Sequence, residues 1–121
     1  MYDVIIAGAG PAGSAAARTG ALLGLDVLVI ERERFPRYKP CGGALSERTI
    51  SYLDFSLPSY ICERTVTGAR MHYHNNVVEI QKGYRIITLV TRSAFDHLML
   101  QKALDAGAQA ILGKKVTGYK E

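Results

Sequence analysis

Apolar residues change their spacing along this chain, and each change marks an element. Asp3-Val4-Ile5-Ile6-Ala7 is a short apolar run ended by glycine, the pattern of a buried parallel strand. After the glycines, Ser14-Ala15-Ala16-Ala17-Arg18 opens a helix that Gly24 closes at the C′ position. Val27-Leu28-Val29-Ile30 is a second apolar strand, ending on Glu31. Pro36 and Pro40 then hold 32–40 as a loop. Ser46 reads as the N-cap of a short helix through Ile50, Tyr52 and Leu53.

From 65 to 90 the period falls to two. Val66, Gly68, Arg70, His72 and His74 alternate with Thr67, Ala69, Met71 and Tyr73, and Asn75-Asn76 turns the chain into 77–80. A turn at Lys82-Gly83 leads to a further strand over 85–90. Helical spacing returns with Phe95, Met99, Leu100, Ala103 and Leu104. Thr91 or Ser93 starts that helix, with Asp96 placed to complete a capping box from Ser93. Gly107 ends it, 109–112 reads as a third parallel strand, and 113–121 starts another element. The order predicts an α/β fold: a Rossmann-like βαβ unit with an inserted antiparallel β segment.

Composition changes this picture little. A chain of 121 residues is one domain at most, and 48% hydrophobic with 21% charged residues is a globular balance without disordered bias. No apolar run approaches the roughly 20 residues of a membrane span. Met1 runs almost directly into a strand, which reads as no signal peptide. Cys41 and Cys62 make no disulfide framework, so a reducing cytoplasm is the expected compartment. The net charge of +4 is mild, its positives are interleaved with acids, and no nucleic-acid-binding motif accompanies them.

The chemistry concentrates at Gly8-Ala9-Gly10-Pro11-Ala12-Gly13, set between a strand and a helix. Gly8 permits the tight turn, Gly10 lets the backbone approach a pyrophosphate, and Gly13 lets the helix lie close on the sheet, as Ala17 and Gly20 also do. Unpaired N–H groups and the positive end of the helix dipole face the phosphates. Glu31 stands eighteen residues after Gly13, where a carboxylate accepts a hydrogen bond from a ribose 2′-hydroxyl. The same carboxylate repels the 2′-phosphate of NADP, which leaves FAD or NAD.

Three further stretches carry candidate chemistry. Arg32, Arg34, Arg37 and Lys39 lie in the proline-bounded loop, as a solvated surface or as partial compensation for cofactor phosphates and anionic substrates. Cys41-Gly42-Gly43-Ala44 is a backbone that something approaches closely or that needs positive φ, with Cys41 either a small buried residue or a cofactor-facing one. His72 and His74 share one strand face, yet no third ligand stands nearby and a zinc site needs three or four, so no metal is expected.

The blocks Gly8-Ala9-Gly10-Pro11-Ala12-Gly13 with Glu31, Lys39-Pro40-Cys41-Gly42-Gly43, and Arg92-Ser93-Ala94-Phe95-Asp96 together resemble the amino-terminal part of the geranylgeranyl reductase family. These are FAD-dependent oxidoreductases with the architecture of the p-hydroxybenzoate hydroxylase group. The resemblance implies that Ala12 and Glu31, with Arg32 beside them, hold the ADP half of FAD. It implies that Cys41, Gly42 and Ala44 lie along the flavin, that Arg92 stands near the pyrophosphate and ribityl region, and that Val116 offers backbone to the adenine. The implied activity is reduction of carbon–carbon double bonds in polyprenyl chains of lipids or pigments, with NADPH or another reductant supplying electrons, in the cytoplasm or in peripheral contact with a membrane.

Members of that family are about three times longer, so the sequence looks like a fragment of a larger two-domain flavoprotein, and catalysis by it alone is not expected. Within it, 2–31 is the dinucleotide motif, 32–64 the Cys-Gly-Gly loop and short helix, 65–91 the antiparallel strands, and 92–112 the helix and third parallel strand. Two competing readings are an aromatic hydroxylase of the same fold and a flavin-free prenyl-binding module like the GDP-dissociation inhibitors. Pro40-Cys41-Gly42-Gly43 favours the reductase over the hydroxylase, and intact flavin-contact positions from Gly8 through Arg92 weigh against the binding module.

Overall fold

The computed structural model describes residues 1–120, which form two units, 1–39 with 93–120 and 40–92. The first unit is built on a three-stranded parallel sheet. Strand β1 (Val4–Ala7) pairs with β2 (Val27–Glu31), in register Val4 to Val27 and Ala7 to Ile30. The last strand of the chain, Gln109–Leu112, lies on the other side of β2, in register Leu28 to Gln109 and Glu31 to Leu112. The third parallel strand is therefore where the sequence places it.

Helix α1 spans Pro11–Leu22 and begins three residues before the expected Ser14. Pro11 sits at N1, where its fixed φ suits the helix and its missing N–H costs nothing. At the other end Gly24 donates to the Ala21 carbonyl at 2.9 Å and Leu25 to the Gly20 carbonyl at 3.1 Å, the paired bonds of a Schellman cap. The helix Arg92–Asp105 closes in the same way, through Gly107 to Leu104 at 2.9 Å and Ala108 to Ala103 at 3.1 Å.

The core of this unit lies on one face of β2. Val27 and Val29 pack with Ala17 of α1 and with Leu100 and Ala103 of the Arg92–Asp105 helix, all at most 2% exposed. Arg18 ties the two helices by donating to the Lys102 carbonyl at 2.7 Å, in the last turn of its helix, where a cation is favoured. One expectation fails here. Val4 and Ile5 are 36% and 61% exposed, because β1 pairs only with β2 among the described residues and is an edge strand. An apolar run carries no signal that separates an edge parallel strand from a central one.

The second unit holds two antiparallel sheets, where the sequence predicts one continuous segment. Strand β3 (Ala44–Ser46) and strand β4 (Cys62–Val66) flank the strand Ile87–Val90, here β7 in chain order. Leu45, Ile61, Thr88 and Val90 are buried within this unit. Strand β3 is absent from the sequence reading, since three residues show no period. Helix α2 (Glu47–Ser51) follows it, shorter than expected, with Ser46 Oγ accepting from the Thr49 N–H at 3.1 Å as its N-cap.

Strands β5 (Gly68–Tyr73) and β6 (Asn76–Gln81) form a separate hairpin, in register Arg70 to Glu79 and Met71 to Val78. Its turn is His74-Asn75, one residue earlier than predicted, with His74 at φ +50°. His74 therefore leaves the strand, and the shared face assumed for His72 and His74 does not exist. Among the described residues, no three His, Cys, Asp or Glu side chains gather as a metal site. Helix α3 is Arg92–Asp105, and β8 is Gln109–Leu112. Among the described residues no helix is long and apolar enough to cross a membrane.

Candidate functional site

The site of the first unit is built at the carboxyl ends of β1 and β2, where open parallel sheets bind ligands. Gly8 takes φ +104°, a conformation that only glycine adopts cheaply, and its N–H donates to the Ile30 carbonyl at 2.8 Å. This bond carries the chain off β1 and over the end of β2. Ala9 follows, fully buried, its carbonyl accepting from Ser14 Oγ at 3.1 Å. Gly10 is the N-cap of α1 in an extended conformation.

The glycines of the turn differ in what demands them. A Cβ at Gly13 would run into the Gly8 carbonyl and come within 3.3 Å of the Ile6 side chain, so the fold itself excludes a side chain there. A Cβ at Gly10 would meet nothing nearer than Arg37 Nη2 at 3.8 Å. The chain has no packing reason for glycine at position 10, and the space beside its backbone is open. Helix geometry also leaves the N–H groups of Ala12 and Gly13 without intrahelical acceptors. Anions gather at such a terminus.

Glu31 is 6% exposed and already engaged. Its Oε2 accepts from the Ala9 N–H at 2.7 Å, and its Oε1 accepts from the Glu33 N–H at 2.9 Å. Each oxygen keeps a further lone pair, so the carboxylate can hold the turn and still accept a hydroxyl. Beside it lies a cavity of about 250 Å³ whose lining includes Gly8, Glu31, Arg32, Lys115 and Val116. The structure thus brings Gly8, Glu31, Arg32 and Val116 together from three separate parts of the sequence. Lys115 is the charged lining residue that the sequence reading missed, beside the strand residues Ala7 and Ile30. The Lys114 N–H donates to the Glu31 carbonyl at 2.9 Å and sets 115–116 beside the acid.

The loop 32–40 is not uniformly solvated. Phe35 packs on the core, and Arg37 is drawn inward to an ion pair with Asp96 at 2.8 Å. Asp96 is fully buried, so a residue read as part of a capping box is the internal counter-charge of this loop. A buried acid in an otherwise apolar helical stripe was the available signal, since such a group needs a partner.

Cys41, Gly42, Ala44 and Arg92 belong to the second unit. Cys41 is exposed, and its Sγ accepts from the Gly43 N–H at 3.5 Å. The alternative of Cys41 as a small buried packing residue is therefore set aside. The two glycines divide as Gly10 and Gly13 do. Gly43 is buried at φ +66°, and a Cβ there would run into the Val90 carbonyl, whose carbon would lie at 3.0 Å. Its smallness is required by the pairing of 43 with 90, where the Val90 N–H donates to the Gly43 carbonyl at 2.9 Å. Gly42 is exposed, with open space where a Cβ would stand. Ala44 is exposed on β3, and Arg92 is half-buried at the start of α3.

The model of the FAD binding domain matches residues 1–121. This chain belongs to the FAD-binding domain family. It is 36% identical to a geranylgeranyl diphosphate reductase of Rhodobacter capsulatus, over 93% of this chain and 28% of that protein. A menaquinone reductase of Mycobacterium tuberculosis is 38% identical, over 93% of this chain and 29% of that protein. Among solved structures, a geranylgeranyl bacteriochlorophyll reductase-like protein from Thermoplasma acidophilum superposes with a TM-score of 0.91 at 30% identity, covering 99% of this chain and 32% of that one. The chain therefore spans about 30% of the length of these relatives. The residues present fit the cofactor of the family: open space at Gly10, two helix N–H donors and an acid beside a cavity of about 250 Å³.

Proposed function

We propose that this chain is the FAD-binding part of an oxidoreductase that reduces carbon–carbon double bonds of polyprenyl groups. The observation that carries the reading is the pairing of an unfilled Gly10 with Glu31, which is bonded to the same turn at Ala9. Gly8, Gly10, Ala12 and Gly13 form the cradle for the diphosphate, and Glu31 accepts the ribose hydroxyl. Arg32, Lys115 and the Val116 backbone enclose the adenosine. In the second unit, Cys41, Gly42 and Ala44 run along the flavin and Arg92 serves the pyrophosphate and ribityl region. The exposed Cys41 and the unfilled space at Gly42 are compatible with a ring lying there.

When bound, the flavin supplies the hydride-transfer chemistry. What the chain contributes is binding and orientation. NADPH or another reductant is the proposed electron source, and a prenylated lipid or pigment is the proposed substrate, met in the cytoplasm or at a membrane surface. Support for a prenyl substrate comes from the names of two relatives, a geranylgeranyl diphosphate reductase and a menaquinone reductase, since both molecules carry polyprenyl chains. Menaquinone itself is the second candidate, favoured by the 38% identity to that relative.

The test is anaerobic. The longer polypeptide that carries this chain is reduced at its flavin and mixed with geranylgeranyl diphosphate or menaquinone. Reoxidation of the flavin with two hydrogens gained in the prenyl chain of the product, weighed after any quinol has been returned to the quinone by air, supports the proposal. A reduced flavin that neither substrate reoxidises overturns it.

A further inference from the structure

We propose that Arg37 is a recognition residue for the diphosphate of the cofactor, held in place by Asp96. The inference rests on the reading of the glycine turn as a diphosphate cradle. Among the cations of the loop, Arg37 has its side chain only 12% exposed, whereas that of Arg32 is 67% exposed. Its Nη2 pairs with the fully buried Asp96 at 2.8 Å, and its guanidinium carbon lies 5.0 Å from the centre of the Phe35 ring. Phe35 stacks in turn on His97 at 6.3 Å, so the guanidinium rests on a fixed surface.

Two observations go beyond a strut between loop and helix. First, Nη1 is buried and makes no hydrogen bond within the chain. A buried ion pair with donor capacity unmet costs desolvation that the pair alone does not repay, so its retention calls for a further partner. Second, among the described residues beyond its two chain neighbours, Nη2 is the atom nearest the position that a side chain on Gly10 would occupy, at 3.8 Å. The space left free by Gly10 is therefore walled by a guanidinium. A phosphate passing Gly10 comes within reach of a fixed positive charge in partly buried surroundings, where Coulomb attraction is much stronger than in water. Asp96 neutralises only part of what the guanidinium offers a dianionic diphosphate, and it fixes the direction of the fork.

The experiment compares ADP with adenosine, two probes that share the adenosine pocket and differ in the diphosphate. Both are titrated calorimetrically into the wild-type chain, Arg37→Gln and Arg37→Lys, with circular dichroism of each sample. The expected result is a loss of about tenfold or more in ADP affinity for Arg37→Gln, the scale of a charge-assisted hydrogen bond, with adenosine affinity unchanged. Arg37→Lys should recover part of the ADP affinity because the charge remains. If both ligands weaken equally in folded Arg37→Gln, Arg37 is only a strut and the inference falls.

A measurement on the wild type covers the case of a variant that does not fold. With the wild type labelled in carbon-13 and nitrogen-15, the Arg37 side-chain signal, assigned by through-bond correlation to its own backbone, should move on adding ADP and stay still on adding adenosine. A signal indifferent to ADP overturns the inference even where ADP binds. Failure of the wild-type chain to bind ADP at all overturns the cradle reading itself, and the inference with it.

Discussion

The Ala9 N–H donates to Glu31 Oε2 at 2.7 Å, which ties the acid at the end of β2 to the glycine turn that follows β1. The carboxylate thus shapes the turn, and under the proposed function it also accepts from a ribose. Glu31→Ala should therefore do two things. It should leave the buried Ala9 N–H without an acceptor, lowering stability by about 1–3 kcal/mol, and it should weaken FAD binding. Urea unfolding and FAD titration of the same preparation measure both. Weaker binding at unchanged stability would mean that the bond to Ala9 contributes nothing to the fold.

Gly10 and Gly13 should respond differently to alanine. Gly13→Ala forces a methyl against the Gly8 carbonyl and should lower the melting temperature, with loss of binding as a consequence. Gly10→Ala meets nothing closer than an arginine tip at 3.8 Å and should keep the melting temperature while weakening FAD. Equal thermal destabilisation by both would show that the space at Gly10 belongs to the fold.

The adjacent glycines of the second unit make the same contrast. Gly43→Ala must accept positive φ and a clash with the Val90 carbonyl, and should cost more than about 1 kcal/mol. Gly42→Ala should leave stability within about 0.5 kcal/mol. If the proposed flavin contact is right, Gly42→Ala in the longer polypeptide should alter the flavin absorption spectrum. A native spectrum in that variant would place the flavin elsewhere.

Much of this was legible in the sequence, for definable reasons. Gly8 and Glu31 were identifiable because a turn and an acid at fixed separation in a strand–helix–strand context have few other uses. Phe95, Met99 and Ala103 were found by their spacing alone and are all at most 4% exposed. What escaped was set by partners distant in sequence. Val4 and Ile5 look like core residues until the sheet order makes β1 an edge. Gly43 owes its smallness to Val90, and Asp96 owes its burial to Arg37. Lys115 enters the cavity because β8 ends beside β2. Of these only Asp96 leaves a local trace, an acid set within an apolar helical stripe.

The Arg37–Asp96 pair yields a stability prediction that is independent of any ligand. Asp96→Ala leaves a guanidinium buried without its counter-charge and should cost about 3–5 kcal/mol. Chemical denaturation reads this directly. A cost below about 1 kcal/mol would mean that Arg37 swings to solvent when released.

The central claim, that the glycine turn and Glu31 hold the ADP half of FAD, is tested most directly by titrating the chain with FAD. Flavin fluorescence reports binding, circular dichroism on the same samples reports folding, and Gly10→Val is carried alongside. The account predicts saturable binding to the wild type, displacement by ADP, and a folded Gly10→Val chain that takes up no flavin. A folded wild type that does not bind FAD, or a Gly10→Val chain that binds it equally well, would contradict it.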